Sequence, residues 1–143
     1  MNVDNFREWE LQVEANREVN FELLTSFRDW LIKSNISEIS VENHLVNVNV
    51  FANTFLIEGD VTPLTKGISE IGEYFGNFFI SNAPIANSIT LAQNVKSILL
   101  LYSFLNSIDL IPDEEFVQFQ NSISNEQNNW EERCETYHSG CEF

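Results

Sequence analysis

The chain is predicted to be all-α, a single-domain bundle of five to six helices, and three observations carry that expectation. Apolar residues recur every three to four positions along most of the chain, the spacing of one face of an α-helix. The breaks in that pattern fall at Gly59–Pro63, at Pro84 and at Pro112, where the helix period would have to stop. The composition supplies a core: 143 residues, 43% hydrophobic, with 12 Phe and 3 Trp. At this length a compact fold buries roughly 68 to 70% of the surface of its unfolded chain, so no disulfide framework is required. The domain is read as residues 1–143, comprising an N-terminal helical segment 1–33, a central set of helices 34–112 and an acidic C-terminal helix and tail 113–143.

The first segment places Phe6, Trp9, Val13, Phe21, Leu24, Phe27 and Leu31 at intervals of three, four and seven or eight. This is the stripe of one long amphipathic helix, or of two that meet near Asn16–Asn20. After Ser34-Asn35, Ser37 and Ser40 are N-cap candidates, because a short hydroxyl side chain can accept from the unpaired amides of a helix start. From Val41, the residues Leu45, Val48, Ala52, Phe55 and Leu56 continue a helix until Gly59. The β-branched Val46, Val48 and Val50 would also suit a strand, but the one-sided stripe and its length favour helix. Ile68, Ile71, Phe75, Phe78 and Phe79 then define a short helix with an aromatic face. Asn87 or Ser88 caps the next helix, which is apolar around most of its circumference near Leu99–Leu101 and is therefore predicted to be central and buried. Pro112 followed by Asp113, Glu114 and Glu115 starts the last helix, since carboxylates favour the positive end of the helix dipole. Phe116, Phe119, Ile123, Trp130, Cys134 and Tyr137 carry its stripe.

The string from Asn35 to Leu45, followed by Val48, Phe51, Phe55 and Leu56, resembles the N-terminal core-binding domain of tyrosine recombinases, the phage-integrase SAM-like domain. Ser37 and Ser40 stand where that family has the Ser and Thr that open its first helix. Ser88-Ile89, Val95, Leu99, Tyr102, Phe104 and Leu105, then Leu110-Ile111-Pro112, resemble its last helix and exit. The similarity covers about Leu31 to Pro112. It implies a SAM-like helical arrangement and a DNA-binding role in integration or recombination. No counterpart of the family's catalytic half is recognised after Pro112.

Charge points away from that role. Seven Lys and Arg face 22 Asp and Glu, a net −15, divided as −3 over residues 1–33, −5 over 34–112 and −7 over 113–143. The segment that resembles a DNA clamp holds only Lys66 and Lys96 as cations, so phosphate contacts, the main source of nonspecific DNA affinity, are scarce. Nucleic acid and anionic membranes are disfavoured as partners for the same reason. The abundance of aromatics excludes a disordered acidic tail as the whole account. The acidic start lacks the basic and apolar pattern of a signal peptide, and only two cysteines occur, Cys134 and Cys141. A cytoplasmic setting is therefore expected.

Chemistry-bearing residues are few. Two histidines, His44 and His138, lack a nucleophile and an orienting group at recognisable spacing. Glu135 and His138 form one Glu-x-x-His, whereas a di-iron bundle needs two. Cys134, His138 and Cys141 could ligate zinc with a fourth ligand from Glu135, His44 or a partner chain. The alternative is that Cys134 merely packs as the last apolar residue of its helix. No cofactor, small-molecule substrate or enzymatic activity is expected. Glu10, Glu14, Glu18 and Glu22 recur every four residues as a stripe of like charge, and with Phe78 and Phe79 they are the interaction candidates. The expectation is a non-catalytic helical module that binds protein or self-associates through an aromatic-rich surface. The alternatives are a DNA-binding accessory module, or an acidic DNA-mimicking partner of a DNA-binding protein.

Overall fold

The computed structural model describes residues 3–83 and 85–140, with side chains as far as 137. Five helices run through the described residues, and no strand occurs among them. They divide into two compact units, Met1–Gly67 and Ile68–Phe143.

In the first unit, α1 is one unbroken helix, Val3–Lys33. Asn35, with φ 64°, ends it: asparagine tolerates the left-handed conformation, and the Ser34 and Ile36 amides turn back to carbonyls of the last turn at 3.1 to 3.3 Å. Ser37 then caps α2, Glu38–Val50, accepting from the Ser40 amide at 3.3 Å. A π-helical turn, Phe51–Phe55, continues α2 and brings the Leu56 amide to the Phe51 carbonyl at 3.0 Å. Gly59, with φ 67°, supplies the left-handed turn that follows. Val13, Phe27 and Leu31 of α1 are buried, as are Val41, Val48, Phe51 and Ala52 from the α2 segment.

The buried stripe of α1 differs from the one the apolar residues suggested. Asn16 and Asn20 lie on it, whereas Phe21 is 73% exposed and Phe6 50% exposed. Successive helix residues are rotated by about 100°, so a stripe through Val13, Asn16, Asn20 and Phe27 turns Phe21 away from it.

A 3₁₀ segment, Leu64–Glu70, spans the division between the units, and the second unit continues with α3, a composite of Ile71–Glu73, the π-helical turn Tyr74–Phe78 and Phe79–Asn82. Then come α4, Ser88–Ser107, and α5, Asp113–Gly140. Asn87 caps α4 in a reciprocal box with Thr90, and the Glu135 carboxylate accepts from the Ser88 amide at 2.9 Å. As expected, α4 is the buried helix, with Leu91, Val95, Ile98, Leu101, Tyr102 and Leu105 almost inaccessible. Its turn into α5 is held by Asn106, which donates to Ile111 O at 2.9 Å and to the Asp113 carboxylate at 2.8 Å.

Aromatic packing anchors α3 to α5. The rings of Phe75 and Trp130 lie 5.3 Å apart, and a Cβ added at Gly76 would stand 3.3 Å from an Arg133 guanidinium nitrogen and 3.7 Å from Trp130 Nε1. The absence of a side chain at Gly76 therefore sets how closely these helices approach.

Candidate functional site

The sequence-derived candidates fare differently. Glu10, Glu14, Glu18 and Glu22 are all exposed on α1. Phe79 is buried at 5% exposure, and Phe78 is half-buried with its ring 5.6 Å from that of Tyr74. These two aromatics belong to the packing of α3 and do not form a surface, a correction to the expectation. Both rings pack on Tyr74, and Phe79 also lies 6.0 Å from Phe75, so the side chains of this segment are spent on one another.

Cys134 is fully buried on α5, and its thiol is pushed up by burial and then by the nearby Glu135 and Glu131 carboxylates. The side chain of His138 and all of Cys141 lie outside the described residues, and so does the zinc cluster drawn through them. Among the described residues no group of three His, Cys, Asp or Glu side chains could hold a metal ion. The Glu135 carboxylate is directed to the start of α4. His44 is buried on α2 at 9% exposure. No helix among the described residues is long and apolar enough to cross a membrane.

What sequence reading missed is a groove on the first unit, between α1 and the α2 segment, enclosing about 590 Å³. Arg17, Phe21, Leu24, Thr25 and Arg28 line it from α1, and Leu45, Val46, Asn49 and Asn53 from the other side. Its apolar members are open to solvent: Phe21 is 73% and Val46 63% exposed. A second groove of about 420 Å³ in the second unit is lined by Ile71, Phe119, Ile123 and Trp130, all already buried. Of the two grooves, the first is therefore the one lined by large apolar side chains that are exposed. The chain matches no known family model, no curated protein and no solved structure.

The spacing Arg17, Phe21, Leu24, Arg28 is i, i+4, i+7, i+11, a single helix stripe, and it is the signal that could have located the groove. It was masked because Phe21, Leu24, Phe27 and Leu31 also share a helical spacing, and the two stripes overlap at Phe21 and Leu24. Behind the groove an amide chain runs inward. Asn53 Nδ2 donates to Asn49 Oδ1 at 2.7 Å, and Asn20 Nδ2 donates to Asn53 Oδ1 at 2.8 Å and to Ala52 O at 3.4 Å. Arg28 is ion-paired with Glu42, both partly exposed, whereas Arg17 forms no ion pair among the described residues.

Proposed function

We propose that the chain is a non-catalytic helical module that binds another protein, and that its contact surface is the α1–α2 groove rather than the Phe78–Phe79 segment. The observation that carries this reading is the exposure of Phe21 and Val46 side by side in a concave site. Large apolar side chains gathered in a groove and left open to water are the feature that marks a protein-binding surface; scattered ones are ordinary. The residues lining the groove include no carboxylate, histidine or cysteine, and their one hydroxyl, Thr25, is bonded to Phe21 O with no base among the lining residues, so binding is better supported there than chemistry.

A DNA-binding accessory role, which the recombinase resemblance implies, has less support. Residues 1–67 hold five cations against eleven acids and residues 68–143 two against eleven, balances of −6 and −9. Neither unit offers the concentration of cations that phosphate binding needs.

The test is site-specific photo-cross-linking in the native host. A photoreactive phenylalanine at position 21 should yield a discrete protein adduct identified by mass spectrometry. The same group at Ile89, 69% exposed on α4, should not. Equal adducts from both positions, or none from position 21, would remove the reading. Because Phe21 is exposed, Phe21→Ser should change stability by no more than about 0.5 kcal/mol, so loss of the partner in that variant reports the surface and not the fold.

A further inference from the structure

We infer that the α1–α2 groove takes an acidic amphipathic helix of a partner protein, an inference that rests on reading the chain as a protein-interaction module. The polarity of the amide chain behind the groove leads to it. Ala52 O is a main-chain carbonyl and can only accept, so Asn20 must turn its Nδ2 toward it, and that nitrogen also meets Asn53 Oδ1. Asn20 is 1% exposed and has no room to exchange this arrangement with water. With its oxygen occupied, Asn53 donates its nitrogen to Asn49 Oδ1. Asn49 is left with Nδ2, a donor, at the groove.

A carbonyl buried in the π turn thus decides which end of a surface amide faces a ligand. The two charged residues that line the groove are both guanidinium groups, Arg17 and Arg28, and the one lining hydroxyl, Thr25, already donates to Phe21 O at 2.7 Å. In a chain with 22 acids and 7 bases, none of the residues lining this groove is acidic. The site therefore presents an apolar floor flanked by donors, Arg17 without an ion pair among the described residues and Arg28 held only by an exposed pair with Glu42, which is the complement of an apolar stripe flanked by carboxylates. The exposed Arg28–Glu42 pair does not oppose this, because such pairs are worth about 0 to 1 kcal/mol and can exchange partners.

The occupant is helical for a geometric reason. Both walls are helices whose backbone groups are already paired within the helix, so an extended segment would find no edge to join. Arg17 and Arg28 are eleven residues apart on α1, about 16 Å at 1.5 Å per residue, which matches carboxylates three turns apart on a packed helix. A second copy of the chain fits less well. The acidic helix α5 of each copy already buries its stripe of Phe119, Ile123, Trp130 and Cys134.

The experiment titrates the purified full-length chain against three fluorescent helical peptides of about eighteen residues that share one Leu stripe. Their flanking residues, eleven apart, are Glu, Gln or Lys. Anisotropy is read at about 0.15 M salt, where the Debye length of ~8 Å screens the distant acids. The Glu peptide should bind about tenfold tighter than the Gln peptide, with the Lys peptide weakest. That preference should vanish in the Arg17→Gln, Arg28→Gln double variant, whose helix content by circular dichroism should match the parent because both side chains lie at the surface. Asn49→Asp, which replaces the outward donor by an acceptor, should also weaken the Glu peptide. Equal binding of the Glu and Gln peptides, or no binding of any, overturns the inference. So does a concentration-dependent dimer of the chain that Phe21→Ser abolishes, since a second copy would then fill the groove. A partner adduct at position 21 combined with equal peptide binding would leave the interaction module standing and remove only the acidic helix.

Discussion

Asn16 and Asn20 sit one turn apart on the buried stripe of α1 and are not equivalent. Asn20 is tied to Ala52 and Asn53, although its own Oδ1 has no partner, while Asn16 Nδ2 is buried with none. Leaving a buried donor unmet costs about 1 to 3 kcal/mol, and an apolar side chain of similar size removes that cost. Asn16→Leu should therefore stabilise the chain by about 1 kcal/mol in urea unfolding. Asn20→Leu should destabilise it by about 1 to 2 kcal/mol, because it strands the amide chain that reaches the groove. A loss of stability in the first variant would indicate that Asn16 has a role in packing. Cys134 offers a second test at this scale. Its thiol is fully buried and held protonated, so in a Cys141→Ser background a thiol reagent should label it only as the chain unfolds. Rapid labelling of the native chain would contradict the burial.

At the level of elements, caps and π turns decide where helices begin and how wide they run. Ser37 and Asn87 were among the caps that the sequence offered, because a hydroxyl or amide side chain ahead of an apolar stripe has one chief use there, whereas the reciprocal bond from Thr90 emerged only in the structure. The two π turns were not visible. Nothing in the local pattern of Phe51–Phe55 or Tyr74–Phe78 distinguishes an i→i+5 turn from an α-helical one; packing selects it. The first π turn holds Ala52, whose carbonyl accepts from Asn20, and the second holds Tyr74, on which Phe78 and Phe79 pack. Glu135 likewise read as a candidate ligand, and only the approach of α5 to the start of α4 shows it as a cap for Ser88. Asn87→Ala should cost about 1 to 2 kcal/mol in thermal or urea unfolding. An unchanged midpoint would mean that Glu135 alone holds the start of α4.

For the molecule as a whole, titration of two phenols sets the alkaline limit of stability. Tyr74 and Tyr102 are nearly inaccessible, and burial holds both hydroxyls well above their ordinary pKa, with Glu115 adding to the effect at Tyr102. In the unfolded chain both ionise near pH 10 while the folded chain keeps their protons. The unfolded state then binds fewer protons, so stability falls as pH rises. The expected stability is level with respect to these groups below about pH 9. Above pH 10 it declines with a slope approaching about 2.7 kcal/mol per pH unit for two groups. Replacing Tyr102 with Phe should halve that slope, and an unaltered slope would show that other groups control it.

An all-helical chain, the neighbourhoods in which α2, α4 and α5 begin and the buried α4 were legible in the sequence alone, because spacing, caps and prolines act over a few residues and need no distant partner. The same was true of the charge, which is a sum and has no geometry. Tertiary structure decided which of two overlapping stripes on α1 turns inward. The decision is collective: Asn20 is buried because the α2 segment supplies Ala52 O and Asn53, and Phe21 is exposed as a consequence. The candidate groove follows from that choice, which the two overlapping patterns within α1 could not make by themselves.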